Sequence, residues 1–416
     1  MSKEGNQNQN NVKEEKIFFF LFLIMVAMIL ISFVNARGAS DVDFFIGWLE
    51  NAEKYGVIQG FGANADMYPP ILPLLLYVMS KCLVFCVNPQ LMAIRVTVLS
   101  FLFLSCICGK KFWKDNMAGV LVFLAFLVSS TEGYLDIITF PFGIWAFSQM
   151  KKMEHKVFMG ISLCIWCLIK YQPLIIMPVV LCLFISLDID KKKVKIDWKS
   201  ILYMGLGALI PLVPILIAYK DMFWDSIVCA LSRDSGNVAP YGLNFGWIVQ
   251  YVYERMHGMT GEVQIIWHTE MDKLLAFKYI FWIAFLGILI LTCMAKKKDY
   301  VLFLKASLAI YILYYLFGTN VHETHLFVGT FLSVSLYMET KTDRHKWMMV
   351  YTILMYNCNL LMFYGMFGKV KEEFPRVLGT FDPTVLVALV NVLIGCFMCY
   401  LLIKEILEDK SDRQNM

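Results

Sequence analysis

The chain has 416 residues, 59% of them hydrophobic, with a mean hydropathy of +0.63. Only 17% are charged, against about 25% in an ordinary soluble domain, which excludes a soluble globular protein. The net charge of +4 is carried in short Lys-rich loops, a pattern that orients a membrane protein and is not a nucleic-acid footprint.

Apolar runs recur from end to end, so the sequence predicts an all-α, polytopic transmembrane helical bundle. The first run, Ile17 to Val34, follows a polar tail. It is long for a signal-peptide core and lacks a clean small-x-small cleavage site, so it reads as a retained span. Further spans are predicted at 117–132, 134–149, 157–170, 173–187, 201–219, 275–294, 300–317, 322–339, 347–366 and 383–404, with one more within 68–108. That makes about twelve, several of them shorter than the roughly 20 residues a full crossing needs. Residues 1–16 and 405–416 are expected as cytoplasmic tails around one membrane domain, 17–404. The basic loops Lys151–Lys156, Lys191–Lys195, Lys296–Lys298 and Lys341–Lys346 are expected to face the cytoplasm.

The stretch 68–108 holds two apolar runs, 68–87 and 91–108. If both crossed, Lys110, Lys111 and Lys114 would fall outside and every later loop would invert. One run must therefore be interfacial or re-entrant. The run after Tyr68-Pro69-Pro70 is the better choice, because Pro73 interrupts its first turn. External loops are expected at about 37–67 and 220–277, the second forming short interfacial helices and containing Arg233-Asp234-Ser235-Gly236, Asn244, Trp247 and His257. Most of the twelve cysteines lie in apolar runs; Cys164-x-x-Cys167 reads as packing rather than a zinc site, and no disulfide is expected.

The outward turns hold the polar residues that need explaining. Asp41 and Asp43 follow the first span, Asp136 sits between two short spans, Lys170-Tyr171-Gln172-Pro173 between two more, and His322-Glu323-Thr324-His325 between another pair. Ionisable groups near hydrocarbon are costly and usually mark function. Blander readings exist for each. Asp136, His322 and Glu323 suit helix N-termini, Lys170 and Arg95 suit snorkelling or packing, and Glu50 and Asp66 suit solvated loops.

In this order the residues resemble the GT-C superfamily of membrane glycosyltransferases: Ser40-Asp41, Trp48, Gly56 and Tyr68-Pro69-Pro70, then Gly133-x-x-Asp136, Lys170-x-Gln172-Pro173, Asn244 with Trp247, and His322-Glu323. The likeness is to bacterial relatives of the GPI-anchor mannosyltransferases and the dolichol-linked glucosyltransferases. It implies a GT-C-like bundle with its site on the extracytoplasmic face of a cell membrane, a bacterial plasma membrane by preference. It implies inverting transfer of a hexose, mannose by likeness, from a polyprenyl-phosphate donor to a cell-envelope glycan or lipid acceptor. Asp41 would be the base, with Asp43 its alternative. His322, Lys170 or His325 would steady the departing phosphate, and Asp136 would orient sugar or acceptor. Gln172, Asn244 and Glu323 join the substrate site, and Trp48, Tyr68 and Trp247 would stack on sugar or line a lipid groove. Asp41-x-Asp43 also offers a place for a divalent cation, which a single-phosphate donor needs less than a nucleotide sugar does. Thr324 stands where those families carry a basic residue. A lipid-linked-sugar flippase or transporter, or a surface-polysaccharide ligase or polymerase, is the competing expectation.

Overall fold

The computed structural model describes residues 2–34, 36–64, 68–189, 191–232, 238–260, 274–364 and 381–411. Asp66, Arg233-Asp234-Ser235-Gly236, most of 261–277, the end of the predicted span at 365–366 and the tail from 412 lie outside the described residues.

The architecture is helical. In chain order it comprises α1 (Ser2–Phe33), α2 (Asp41–Tyr55), α3 (Val57–Asn64), α4 (Ile71–Cys82), α5 (Pro89–Trp113) and α6 (Asn116–Glu132). Next come α7 (Phe140–Lys152), α8 (Lys156–Ile169), α9 (Met177–Cys182), α10 (Trp198–Tyr219), α11 (Asp221–Ser232) and α12 (Phe245–Met256). The last five are α13 (Lys278–Met294), α14 (Tyr300–Phe317), α15 (Phe327–Thr340), α16 (Asp343–Tyr364) and α17 (Thr384–Ser411). Local chemistry sets several starts. The side chains of Asn88, Asp115, Asp197, Asn244 and Asp299 each accept a hydrogen bond from a backbone N–H in the following first turn.

Among the described residues, five helices are long and apolar enough to cross a membrane: Glu15–Phe33, Pro89–Trp113, Trp198–Tyr219, Tyr300–Phe317 and Thr384–Glu408. The other apolar helices among the described residues include Ile71–Cys82, Asn116–Glu132, Lys156–Ile169, Gln172–Cys182 and Lys278–Met294, each of 17 residues or fewer. Predicted spans 134–149, 173–187 and 322–339 do not start as α-helix. Each opens with a 3₁₀ turn, at Leu135–Thr139, Gln172–Ile176 and Glu323–Leu326, and then continues as α7, α9 and α15. The run 173–187 ends in a small antiparallel hairpin, β1 (Ile185–Asp188) with β2 (Lys193–Ile196), in register Ile185 to Ile196. The Lys-rich segment predicted as a loop is thus partly strand. The described parts of the predicted tails are helical too, since α1 begins at Ser2 and α17 runs to Ser411.

The two runs of 68–108 resolve into one short and one long helix. At 12 residues α4 is about 18 Å long, too short for a hydrocarbon core of about 30 Å, whereas α5 has 25 residues. Both ends of α4 also stay beside α2. The Tyr68 ring lies 5.1 Å from that of Trp48, and Lys81 Nζ pairs with Glu53 at 3.1 Å.

Helix α14 forms the centre, buried along nearly its whole length. By contrast α10 is mostly exposed and packs chiefly on α8. Gly160 and Gly207 make that contact. A Cβ on Gly160 would fall 1.9 Å from the Met204 oxygen, and one on Gly207 2.1 Å from the Val157 oxygen. Small residues that let backbones approach are a membrane packing device, since lipid supplies no hydrophobic drive between helices.

Candidate functional site

The three 3₁₀ turns meet at one end of the bundle, and each brings polar side chains there. The helix α6 stops at Gly133 in the left-handed region, and the chain re-enters at Leu135–Thr139 with Asp136 fully buried. Lys170 caps α8 in extended conformation ahead of Gln172–Ile176. Lys170 Nζ donates to Asp136 Oδ1 at 2.5 Å, with side chains 9% and 0% exposed. The ammonium also lies 5.3 Å from the Tyr68 ring centroid. Tyr68 in turn packs edge-on against Trp48, which is 2% exposed. The first-loop aromatics, Asp136 and Lys170 therefore form one contiguous group.

The third turn supplies an acid and two imidazoles. Glu323 precedes α15 and is buried, and its Oε1 accepts from the Tyr134 hydroxyl at 2.9 Å. His322 Nδ1 is 4.0 Å from Glu323 Oε2. The charges of Asp41 and His322 both act on the Glu323 carboxyl. Asp41 lies within electrostatic reach of Tyr134 and Tyr364 as well. His325 Nδ1 accepts the His322 backbone N–H at 3.2 Å and faces the Tyr314 hydroxyl at 3.0 Å. A nitrogen that already accepts carries no proton, so the Tyr314 hydroxyl donates and Nε2 holds the ring's only hydrogen. His325 is thus a neutral donor.

The remaining candidates lie elsewhere. Asp43 is two residues from Asp41 on a helix, hence on a different face. Its oxygens accept from Arg37 Nε at 3.2 Å and Nη2 at 2.7 Å at the exposed surface. Asp41 and Asp43 therefore do not make a ligand pair, and no group of three or more His, Cys, Asp or Glu fit for a metal occurs among the described residues. Asn244 accepts from the Trp247 N–H at 3.1 Å and donates to the Tyr315 oxygen at 3.0 Å. The Trp247 indole is fully buried, with Nε1 donating to Thr384 Oγ1 at 2.7 Å. These two fasten the start of α12 to α14 and α17.

Sequence reasoning missed the tyrosines. Tyr134 holds Glu323, Tyr314 fixes His325, and Tyr311 and Tyr356 feel the Asp136 charge. Their signal was present, since a hydroxyl within an apolar run requires a partner.

Several buried polar atoms have no hydrogen-bond partner among the described residues: Trp48 Nε1, Asp136 Oδ2, Gln172 Nε2 and Oε1, Glu323 Oε2, and the Tyr311 hydroxyl. Buried polar atoms are ordinarily satisfied, and each exception needs an explanation. These exceptions accompany the Asp136–Lys170 and Tyr134–Glu323 pairs and include both donors and acceptors. Such a set suits a ligand rich in hydroxyls, each of which donates once and accepts.

No protein-family model and no curated protein matches the chain.

Proposed function

We propose that this protein is an inverting GT-C-type membrane glycosyltransferase. It transfers a hexose from a polyprenyl-phosphate donor to a glycan or lipid acceptor at the extracytoplasmic face. The observation that carries the reading is the set of unpartnered buried polar atoms around Asp136, Gln172 and Glu323. An apolar transported lipid would leave them unmatched, whereas a sugar's hydroxyls would complete them. The sidedness rests on the basic loops, which favour the cytoplasm. The twelve-crossing topology belongs to the same proposal, with short helices completing crossings inside the bundle.

In this mechanism the acceptor hydroxyl loses its proton to Asp41 as its oxygen attacks the anomeric carbon. The bond from that carbon to the phosphate oxygen breaks, its electron pair leaves with the phosphate, and the configuration inverts. Lys170 supplies positive charge to the departing phosphate and His325 Nε2–H a neutral hydrogen bond. Asp136 holds Lys170 in place. Glu323, buried against Tyr134, accepts from sugar hydroxyls when ionised and donates to them when protonated.

Purified protein given a panel of radiolabelled polyprenyl-phosphate sugars and envelope acceptors should transfer one sugar, and Asp41→Asn should lower turnover ~10²–10⁴-fold. Full activity in Asp41→Asn with loss in Asp43→Asn would move the base and leave the class intact. Activity in both variants would overturn the first-loop chemistry, and lipid-sugar translocation without transfer would make the protein a flippase.

A further inference from the structure

Arg95 lies in α5 and reads from sequence as a snorkelling or packing residue, yet it is fully buried and cannot snorkel. Its Nη2 donates to the Phe33 oxygen, the end of α1, at 3.0 Å. Its Nη1 borders two glycines. A Cβ on Gly38 would sit 3.2 Å from Nη1 and 2.3 Å from the Glu132 oxygen. One on Gly133 would sit 3.0 Å from Nη1 and 2.6 Å from Val42 Cγ2. Both glycines have positive φ, +85° and +88°, a conformation that costs other residues. The Ala39 N–H completes the contact, donating to the Glu132 oxygen at 2.8 Å. Glu132 is itself buried and its charge acts on the guanidinium.

We infer that Arg95 is a positioning residue that clamps the linker 36–40 onto the end of α6 and thereby sets Asp41 at the start of α2. Nη2 holds the end of α1, and Nε and Nη1 have no hydrogen-bond partner among the described residues, so the rigid planar guanidinium acts on the linker and on α6 by packing against Gly38 and Gly133. Asp41 immediately follows the linker and Val42 packs on Gly133, so a loosened linker displaces the acid directly. The catalytic half of this inference rests on the sugar-transfer reading; the clamp itself does not.

The test places a nitroxide label on the exposed Ser40 (Ser40→Cys, other cysteines replaced by serine) and records its mobility in Arg95→Met, Arg95→Lys and Gly38→Ala. Gly38→Ala attacks the same contact from the linker side, so the experiment survives if Arg95→Met fails to fold. An immobile label in the parent and a mobile one in Gly38→Ala and Arg95→Met is expected, with Arg95→Lys between them. Transfer should lose ~10²-fold in kcat with KM for the lipid donor unchanged, and Arg95→Lys should partly rescue it. An equally immobile label in all variants overturns the clamp. A mobile label with kcat unchanged and KM raised overturns its role in positioning Asp41. If the label mobilises as expected and the parent transfers no sugar, the clamp stands and the sugar-transfer reading falls.

Discussion

Lys170 and Asp136 neutralise each other in surroundings almost without water, and that determines what happens when one is removed. Asp136→Asn leaves a buried ammonium without its counter-charge, and breaking a buried pair from one side costs about 3–5 kcal/mol. Thermal or denaturant unfolding in detergent should show that loss. Replacing both, as Asp136→Leu with Lys170→Met, should restore most of the stability and none of the transfer, because a matched apolar pair leaves no stranded charge. Parent-like unfolding of Asp136→Asn would mean the pair contributes nothing.

At the scale of elements, one device recurs: an end-of-helix residue, a 3₁₀ turn, then an inward helix. Leu135–Thr139, Gln172–Ile176 and Glu323–Leu326 each follow it. The sequence showed where these polar turns lie, because Asp136, Lys170 and His322-Glu323 interrupt apolar runs. It did not show the shortened helices behind them, since a hydropathy pattern does not tell a 3₁₀ opening from a first α-turn. The partners of Asn244 and Trp247 were not legible either, since a capping Asn beside a Trp does not show that they bond a carbonyl and a threonine hydroxyl far along the chain. The short α4 was legible through Pro73 and through charge parity. Its pairing of Lys81 with Glu53, and the 3.2 Å hydrogen bond from Gln90 to Glu53, keep the α4–α5 connection on the side of α2. With all other cysteines replaced by serine, Cys86 should react with a membrane-impermeant maleimide from the same side as a cysteine at Ser40. Reaction from opposite sides would mean α4 crosses.

Across the whole molecule, ion pairs mark both ends. Lys341 with Asp115 at 2.6 Å, Lys151 with Glu339 at 2.7 Å and Arg344 with Glu405 at 2.6 Å mark one. The exposed pairs Arg37 with Asp43 and Lys81 with Glu53 mark the other, beside the buried carboxylates, imidazoles and tyrosines of the site. Between them α14 is enclosed by protein on nearly every side, whereas α10 touches it little and depends on α8. The α8–α10 contact should therefore be a separable unit whose strength lies in backbone proximity. Gly207→Val would push a side chain into the Val157 carbonyl, whereas Gly205, two residues away, has nothing within 4 Å of an added Cβ. Overpacking costs about 1–3 kcal/mol, so Gly207→Val should lower the unfolding temperature in detergent while Gly205→Val leaves it near the parent value. The distant site should keep its geometry, so folded Gly207→Val should retain turnover in the sugar-transfer assay. Equal unfolding temperatures for the two valine variants would show that α10 is held by side-chain bulk or lipid rather than by this backbone approach.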